Sequence, residues 1–216
     1  MFVPAPPIPA AVPLAPVGIA SAAPATLASA PLHTSLRVNS AQLNVLDGSS
    51  ASVTGSLVDV HRSGMARRVV FLQALEGNGW STVSRARTNA RGRFNMNYAP
   101  RRIGSQLLRL RFAGDTRDLA ARRRLGTMNV YRLAGASWYG GGGGMACGGQ
   151  LTSSTLGVAN KTLPCGTLVT LRYNGRTIRV PVVDRGPYVE GREFDLTEAA
   201  KYALGFGDTG NVWSTR

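Results

Sequence analysis

Two aspartates stand out as groups able to do chemistry. Asp184 lies in Val183-Asp184-Arg185-Gly186-Pro187-Tyr188, and Asp195 in Gly191-Arg192-Glu193-Phe194-Asp195-Leu196-Thr197. A carboxyl can protonate a leaving group and then, as its conjugate base, take up another proton. To act as an acid near neutral pH its pKa must be raised by burial or a like-charged neighbour, which two aspartates facing one groove would provide. Each also has a local alternative. Asp195 precedes Leu196-Thr197 and could cap a helix, and Asp184 could pair with Arg185 or Arg192. The two cysteines, Cys147 and Cys165, are an even count. In an exported chain that suggests one disulfide, in a cytosolic chain free thiols. His33 and His61 are isolated, so with only two cysteines no metal site is supported, and nothing calls for a cofactor. The glycine run at 140–144 is not followed by Gly-Lys-Ser/Thr and does not fit a phosphate-binding loop.

These residues need a scaffold, and the hydrophobic pattern points to an all-β one. In residues 133–216, strand-type segments at 168–173 and 177–183 flank Asn174-Gly175, the pair that a type I′ hairpin turn requires because both central positions have positive φ. A short helix is expected over 196–204, with Thr197 as its N-cap and Gly205 as its stop. In residues 32–132, segments at 35–43, 52–60, 68–75, 82–88, 94–98 and 106–112 alternate apolar and polar residues, with turns such as Asp47-Gly48 and Gly77-Asn78-Gly79 between them. Short strands at this spacing argue for an antiparallel sandwich. The pattern Val53-x-Gly55-x-Leu57, Val69-x-Phe71-Leu72, Trp80, Thr88-x-x-x-Gly92-x-Phe94 resembles the bacterial immunoglobulin-like domains of surface proteins. Trp80 is read as packing across that sheet, and Arg122-Arg123-Arg124 as a solvated charge cluster near the domain's end.

The chain has 216 residues, 44% of them hydrophobic, enough for one large core or two small ones. Its net charge is +14, and 23 of its 25 basic residues are arginine. Residues 1–132 hold 17 basic and five acidic side chains, and residues 133–216 hold eight and six. Any electrostatic attachment therefore belongs to the front half, and its partner is anionic. No lysine-rich patch or aromatic-interleaved basic helix speaks for nucleic acid; wall glycans and teichoic-type polymers are other anionic partners, and a merely solvated arginine surface is the alternative. Residues 1–31 are Pro/Ala-rich and uncharged. They read as a leader or linker, with Ala28-Ser29-Ala30 fitting a small-x-small cleavage site but no positive region before it. No stretch is long and apolar enough to cross a bilayer.

Three stretches, in this order and spacing, resemble the rare lipoprotein A family: Ala136-Ser137-Trp138-Tyr139-Gly140; Leu156-Gly157-Val158-Ala159-Asn160-Lys161-Thr162-Leu163-Pro164-Cys165-Gly166-Thr167; and the two aspartate segments above. The match covers nearly all of 135–216. More distantly the region is similar to expansins and family 45 endoglucanases. The resemblance implies a six-stranded double-psi β-barrel over 133–216, with the preceding domain at 32–132. Cys147 and Cys165 match a two-cysteine, actinobacterial-like variant in which they would be bridged.

Active members of this family are lytic transglycosylases, so the resemblance implies a secreted or envelope protein acting on peptidoglycan. It would cleave the β-1,4 bond between N-acetylmuramic acid and N-acetylglucosamine to an anhydro-muramyl end. It marks Asp184 as the signature acid and places Asp195 where expansins keep an essential aspartate. Trp138, Tyr139 and Tyr188 could stack on a sugar ring, although such aromatics also serve as core, and Gln150, Asn160 and Arg185 could hydrogen-bond the glycan. Two family features are absent. The loop Met145-Ala146-Cys147-Gly148-Gly149-Gln150-Leu151-Thr152 lacks an acid, and Asn160 stands where a histidine is usual. An amide cannot shuttle protons at neutral pH. A second reading therefore stands beside the enzyme: a non-catalytic, expansin-like wall-binding or wall-loosening module.

Overall fold

The computed structural model describes residues 1–2 and 30–216. The expected leader, with its Ala28-Ser29-Ala30 site, falls almost wholly outside the described residues. From Pro31 onward the chain is one compact unit. It begins with eight strands: β1 (Ser35–Gln42), β2 (Asn44–Leu46), β3 (Ala51–Val58), β4 (Val69–Glu76), β5 (Gly79–Arg87), β6 (Arg93–Tyr98), β7 (Gly104–Phe112) and β8 (Ala121–Tyr139). Strands β1, β3 and β6 form one antiparallel sheet; β5, β4, β7 and β8 form a second, with β2 alongside β8. Alternation drives this: Ala51, Val53, Gly55 and Leu57 on β3 are buried while the residues between them are half-exposed. The two sheets share one core, Leu36, Val53, Leu57, Phe94 and Met96 from the first meeting Val70, Leu72, Leu108, Leu110 and Met128 from the second.

The remaining elements are β9 (Val158–Ala159), β10 (Leu168–Tyr173), β11 (Arg176–Asp184), β12 (Phe194–Thr197), α1 (Glu198–Leu204) and β13 (Thr209–Ser214). With the second half of β8 they form a six-stranded ring in the order β12-β9-β11-β10-β13-β8, closed by parallel pairing of β12 with β8. Closure leaves this barrel no free sheet edge. Its interior is filled by Val158, Val169, Leu171, Val182, Phe194, Leu196, Leu204 and Val212. The β10–β11 hairpin turns at Asn174 and Gly175 with φ of 46° and 85°, as the Asn-Gly pair requires.

Strand β8 belongs to both halves. Up to Val130 it pairs with β7, and from Arg132 to Ser137 with β13. The changeover at Tyr131 is locked. The Tyr131 ring is fully buried and lies 5.8 Å from that of Trp213, and its hydroxyl donates to Asn44 Oδ1 at 2.9 Å. Next to it, the Arg132 guanidinium holds Glu193, just before β12, in a two-pronged ion pair.

Thr197 ties α1 to the barrel. Its hydroxyl accepts from Ala200 N as the N-cap, accepts from Gly157 N at 3.1 Å and donates to Gly157 O at 3.1 Å, all in a fully buried setting. Thr197→Ala would leave Gly157 and the helix start short of partners, and is expected to cost about 2 kcal/mol, with Thr197→Ser retaining most of it. Urea midpoints of the two variants check this.

Candidate functional site

The barrel aligns the candidate residues in one cross-strand row. Ser137 on β8 is opposite Asp195 on β12, Asp195 is opposite Ala159 on β9, and Ala159 is opposite Asp184 on β11. The two aspartates thus flank one small residue, with two strand spacings, about 10 Å, between their backbones. A register shift between Val182 and Asp184 marks a bulge in β11. Bulges of this kind re-aim the following side chain and collect near active sites. Ser137 Oγ hydrogen-bonds Asp195 Oδ1. Oδ1 of Asp184 accepts from the backbone N–H groups of Ala146 and Arg185, both at 2.8 Å. Neither arginine that the sequence offered as its partner forms an ion pair with it, and the cap of α1 is Thr197 rather than Asp195.

Tyr139, two residues beyond Ser137 on β8, completes the cluster. Its hydroxyl is the only buried side-chain nitrogen or oxygen among the described residues without a hydrogen-bond partner. Burial, then the charge of Asp184, a hydrogen-bonding contact with its carboxylate and, more weakly, the charge of Asp195 hold the phenol well above its ordinary pKa of 10.0. The Asp184 carboxylate acts on the phenol both through its charge and through a loose hydrogen-bonding contact, although no hydrogen bond of full geometry joins the two. A buried, unpaired donor beside two carboxylates is uncommon, because leaving it unpaired costs stability.

The loop between β8 and β9 is fastened over this cluster. Gly141, Gly142 and Gly143 have φ of 96°, 90° and 102°, which is why the run must be glycine. Leu151 N donates to Gly143 O, Cys147 N donates to Val183 O, and Cys147 is disulfide-bonded to Cys165. Arg185 points at the same fastening: its guanidinium donates to Asn160 O, Leu163 O and Cys165 Sγ at 3.0–3.1 Å. The buried Asn160 amide is spent internally as well, donating to Glu193 O and accepting from Thr162 N and Leu163 N. Asn160 and Arg185 therefore shape the loops around the aspartates.

The other candidates lie outside this cluster. Gln150 is exposed on the glycine loop, and Tyr188 is 80% exposed just after Pro187. Trp138 is half-buried. Lys201 Nζ sits 3.8 Å over its ring, and its indole N–H donates to Asp208, whose pKa is held low by Lys201 and Trp138. Lys201 thus occupies one face of Trp138. Ser137, Asp208 and Lys201 were not foreseen. Ser137 was within reach of the pattern, since it shares a strand face with Tyr139. Among the described residues no group of three or more His, Cys, Asp and Glu could hold a metal ion.

Tyr139→Phe removes an unpaired polar atom, so the variant is expected to be as stable as the parent or up to about 1 kcal/mol more stable. The pH response gives a second readout. The unfolded phenol releases its proton near 10.0, whereas the folded one keeps it. Its contribution to stability is therefore full below that pH and declines as pH rises above it. Thermal melts between pH 8 and 11 should show a steeper alkaline loss for the parent than for Tyr139→Phe.

Residues 133–213 match the protein family described as lytic transglycolase. The probable endolytic peptidoglycan transglycosylase RlpA of Aquifex aeolicus is 47% identical over 75 residues, covering 32% of this chain and 33% of that protein. The endolytic peptidoglycan transglycosylase RlpA of Pseudomonas aeruginosa PAO1 is 40% identical over 89 residues, covering 38% of this chain and 26% of that protein. The chain thus spans a third or less of the length of these curated relatives. Among solved structures, Streptomyces papain inhibitor is 31% identical, covering 39% of this chain and 91% of that one, with a TM-score of 0.33. By the family match over residues 133–213 and by its similarity to the two RlpA proteins, the six-stranded barrel is a domain of the RlpA-like lytic transglycolase family.

Proposed function

We propose that the chain is a peptidoglycan lytic transglycosylase, exported to the cell envelope, whose barrel cleaves glycan strands with Asp184 as the acid and Asp195 in support. The observation that carries this reading is the convergence of Asp184, Asp195 and the unpartnered Tyr139 hydroxyl on one side of the barrel. In the reaction, the Asp184 carboxyl gives its proton to the bridging oxygen as the C1–O bond of the muramyl unit breaks. The resulting carboxylate then accepts the proton of the muramyl 6-hydroxyl as that oxygen bonds to C1, so the anhydro ring closes without water. Oδ1 of Asp184 is held by two backbone donors, which leaves Oδ2 for the substrate. Tyr139 would donate to the sugar or to the carboxylate, and exposed Gln150 and Tyr188 would contact the strand. Trp138 would offer its remaining face, and Asn160 and Arg185 would hold the loops that frame the groove.

We further read residues 32–132 as an immunoglobulin-like sandwich that carries the barrel at 133–216, behind a leader at 1–31. A second reading, an expansin-like module that binds without cleaving, is favoured by one observation. The Asn160 amide, in the place of the usual histidine, already spends three of its four hydrogen-bonding positions on neighbouring backbone. Mass spectrometry of soluble products from peptide-free glycan strands separates the two. Anhydro-muramyl fragments support the enzyme; strands bound but intact support the module.

A further inference from the structure

The outer face of the sheet β5-β4-β7-β8 is built of arginine. Register puts Arg85, Phe71, Arg111 and Arg122 in one row across the four strands, and Thr82, Gln73, Arg109 and Arg124 in the next. Arg87 adds a charge opposite Val69. The other face of these strands is core, with Val70, Leu72, Leu108 and Leu110. The four strands contain one acid, Glu76 at the end of β4, and its charge acts on Tyr98 of the facing sheet. None of the six arginines forms an ion pair among the described residues, whereas Arg68 nearby holds both Asp115 and Asp118.

Like charges placed directly opposite one another destabilise a sheet, and here both Arg111–Arg122 and Arg109–Arg124 are so placed. Arg109 registers the crowding: desolvation, then the charges of Arg122 and Arg111, hold its pKa below the ordinary value. Natural sequences accept such local conflict where function calls for it.

We propose that this face binds a linear polyanion, a polymer of phosphodiester-linked polyol units. The guanidinium fork matches phosphate oxygens, and six forks without a competing carboxylate give the charge complementarity. Along a strand the arginines recur every second residue, about 7 Å, a spacing that a flexible chain with one charge every few bonds can follow. The aromatic residues argue against nucleic acid, whose bases need open ring faces. Trp80 already carries the Arg109 guanidinium on one face at 4.0 Å, and Phe71 is set between Arg85 and Arg111. Toward the barrel the track runs past Leu107 and Thr127 into a cleft that Arg179 also lines. The proposal is independent of whether the barrel cleaves glycan.

The test titrates the full chain with poly(glycerol phosphate) over a range of salt concentrations. Arg111→Gln/Arg122→Gln is compared with Arg101→Gln/Arg102→Gln, which removes equal charge from an exposed turn elsewhere. The face variant should bind about tenfold more weakly, with a salt slope shallower by about two, while the control stays close to the parent. The free face variant should also melt at a higher temperature, an effect that a purely structural role for these arginines would reverse. Absence of binding, equal loss in both double variants, or equally tight binding of a single-stranded oligonucleotide of the same charge would each overturn the proposal.

Discussion

Replacing Asp184 with asparagine is expected to lower the rate of anhydro-muramyl product formation by about 10²–10⁴-fold while leaving the protein bound to glycan strands. The amide keeps the oxygen that accepts from Ala146 N and Arg185 N, so the loop contacts survive, but it has no proton to give to the bridging oxygen in the proposed reaction. Asp195→Asn should cost less. Its carboxylate accepts from Ser137 and stands across Ala159 from Asp184, which on the proposed reading gives it the supporting part. A rate measured from each variant on peptide-free strands, with binding measured in parallel, ranks the two. If Asp195→Asn abolishes product and Asp184→Asn does not, the roles are exchanged.

Reduction of the Cys147–Cys165 bond should have the largest effect on stability. The bridge closes a loop with a sequence separation of 18, for which chain entropy gives about 3 kcal/mol. In a chain of this size that corresponds to a fall in melting temperature of about 6–12 °C. The chemical consequence should exceed the thermal one. The bridge anchors the loop whose Ala146 N–H holds Asp184 and whose Cys147 N–H holds Val183. Paired melting and product assays with and without a reductant are therefore expected to show activity lost below the temperature at which the reduced protein unfolds. Equal activity in reduced and oxidised protein at a temperature where both are folded would separate the bridge from the site.

Local signals in the sequence carried the hairpin at Asn174-Gly175, the caps Thr197 and Gly205, and most of the front strands, because turn chemistry and alternation act over a few residues. Five elements escaped. Strand β2 is only three residues long, and the four-residue β12 ends on Leu196 and Thr197, where the helix was expected to begin. Strand β9 is only two residues long and has no periodicity to show. Strand β13 is six residues near the end of the chain, specified by its partners β8 and β10. The 19-residue β8 is masked in the sequence, because its first half is decorated with arginine and its second half is rich in alanine and glycine, a pattern that suggests a charge cluster followed by a domain boundary. For the site, both aspartates were named from their motifs, but their meeting across Ala159 depends on pairing between strands far apart in sequence. The same limit applies to Tyr139. A stacking ring is a fair reading of Trp-Tyr-Gly, and only the register of β8 against β12 places its hydroxyl beside two acids. Asn160 and Arg185 offered polar groups that looked free for a sugar, yet both are committed to neighbouring backbone once the loops close.

Strand β8 also makes the molecule a ruler. A 19-residue strand is about 60 Å long when fully extended, and here it runs from the arginine face to the row of aspartates without a break. Modules joined by flexible tethers sample a volume, and their reach is a distribution. This chain has no such freedom between Ala121 and Tyr139, where ladder bonds and the Tyr131–Trp213 contact hold the backbone on both sides of the changeover. Whatever grips the front half would therefore fix the height and heading of the aspartates beyond it. On the proposed reading, of all the glycan strands in a thick wall, only those at one distance from the anchor would be addressed.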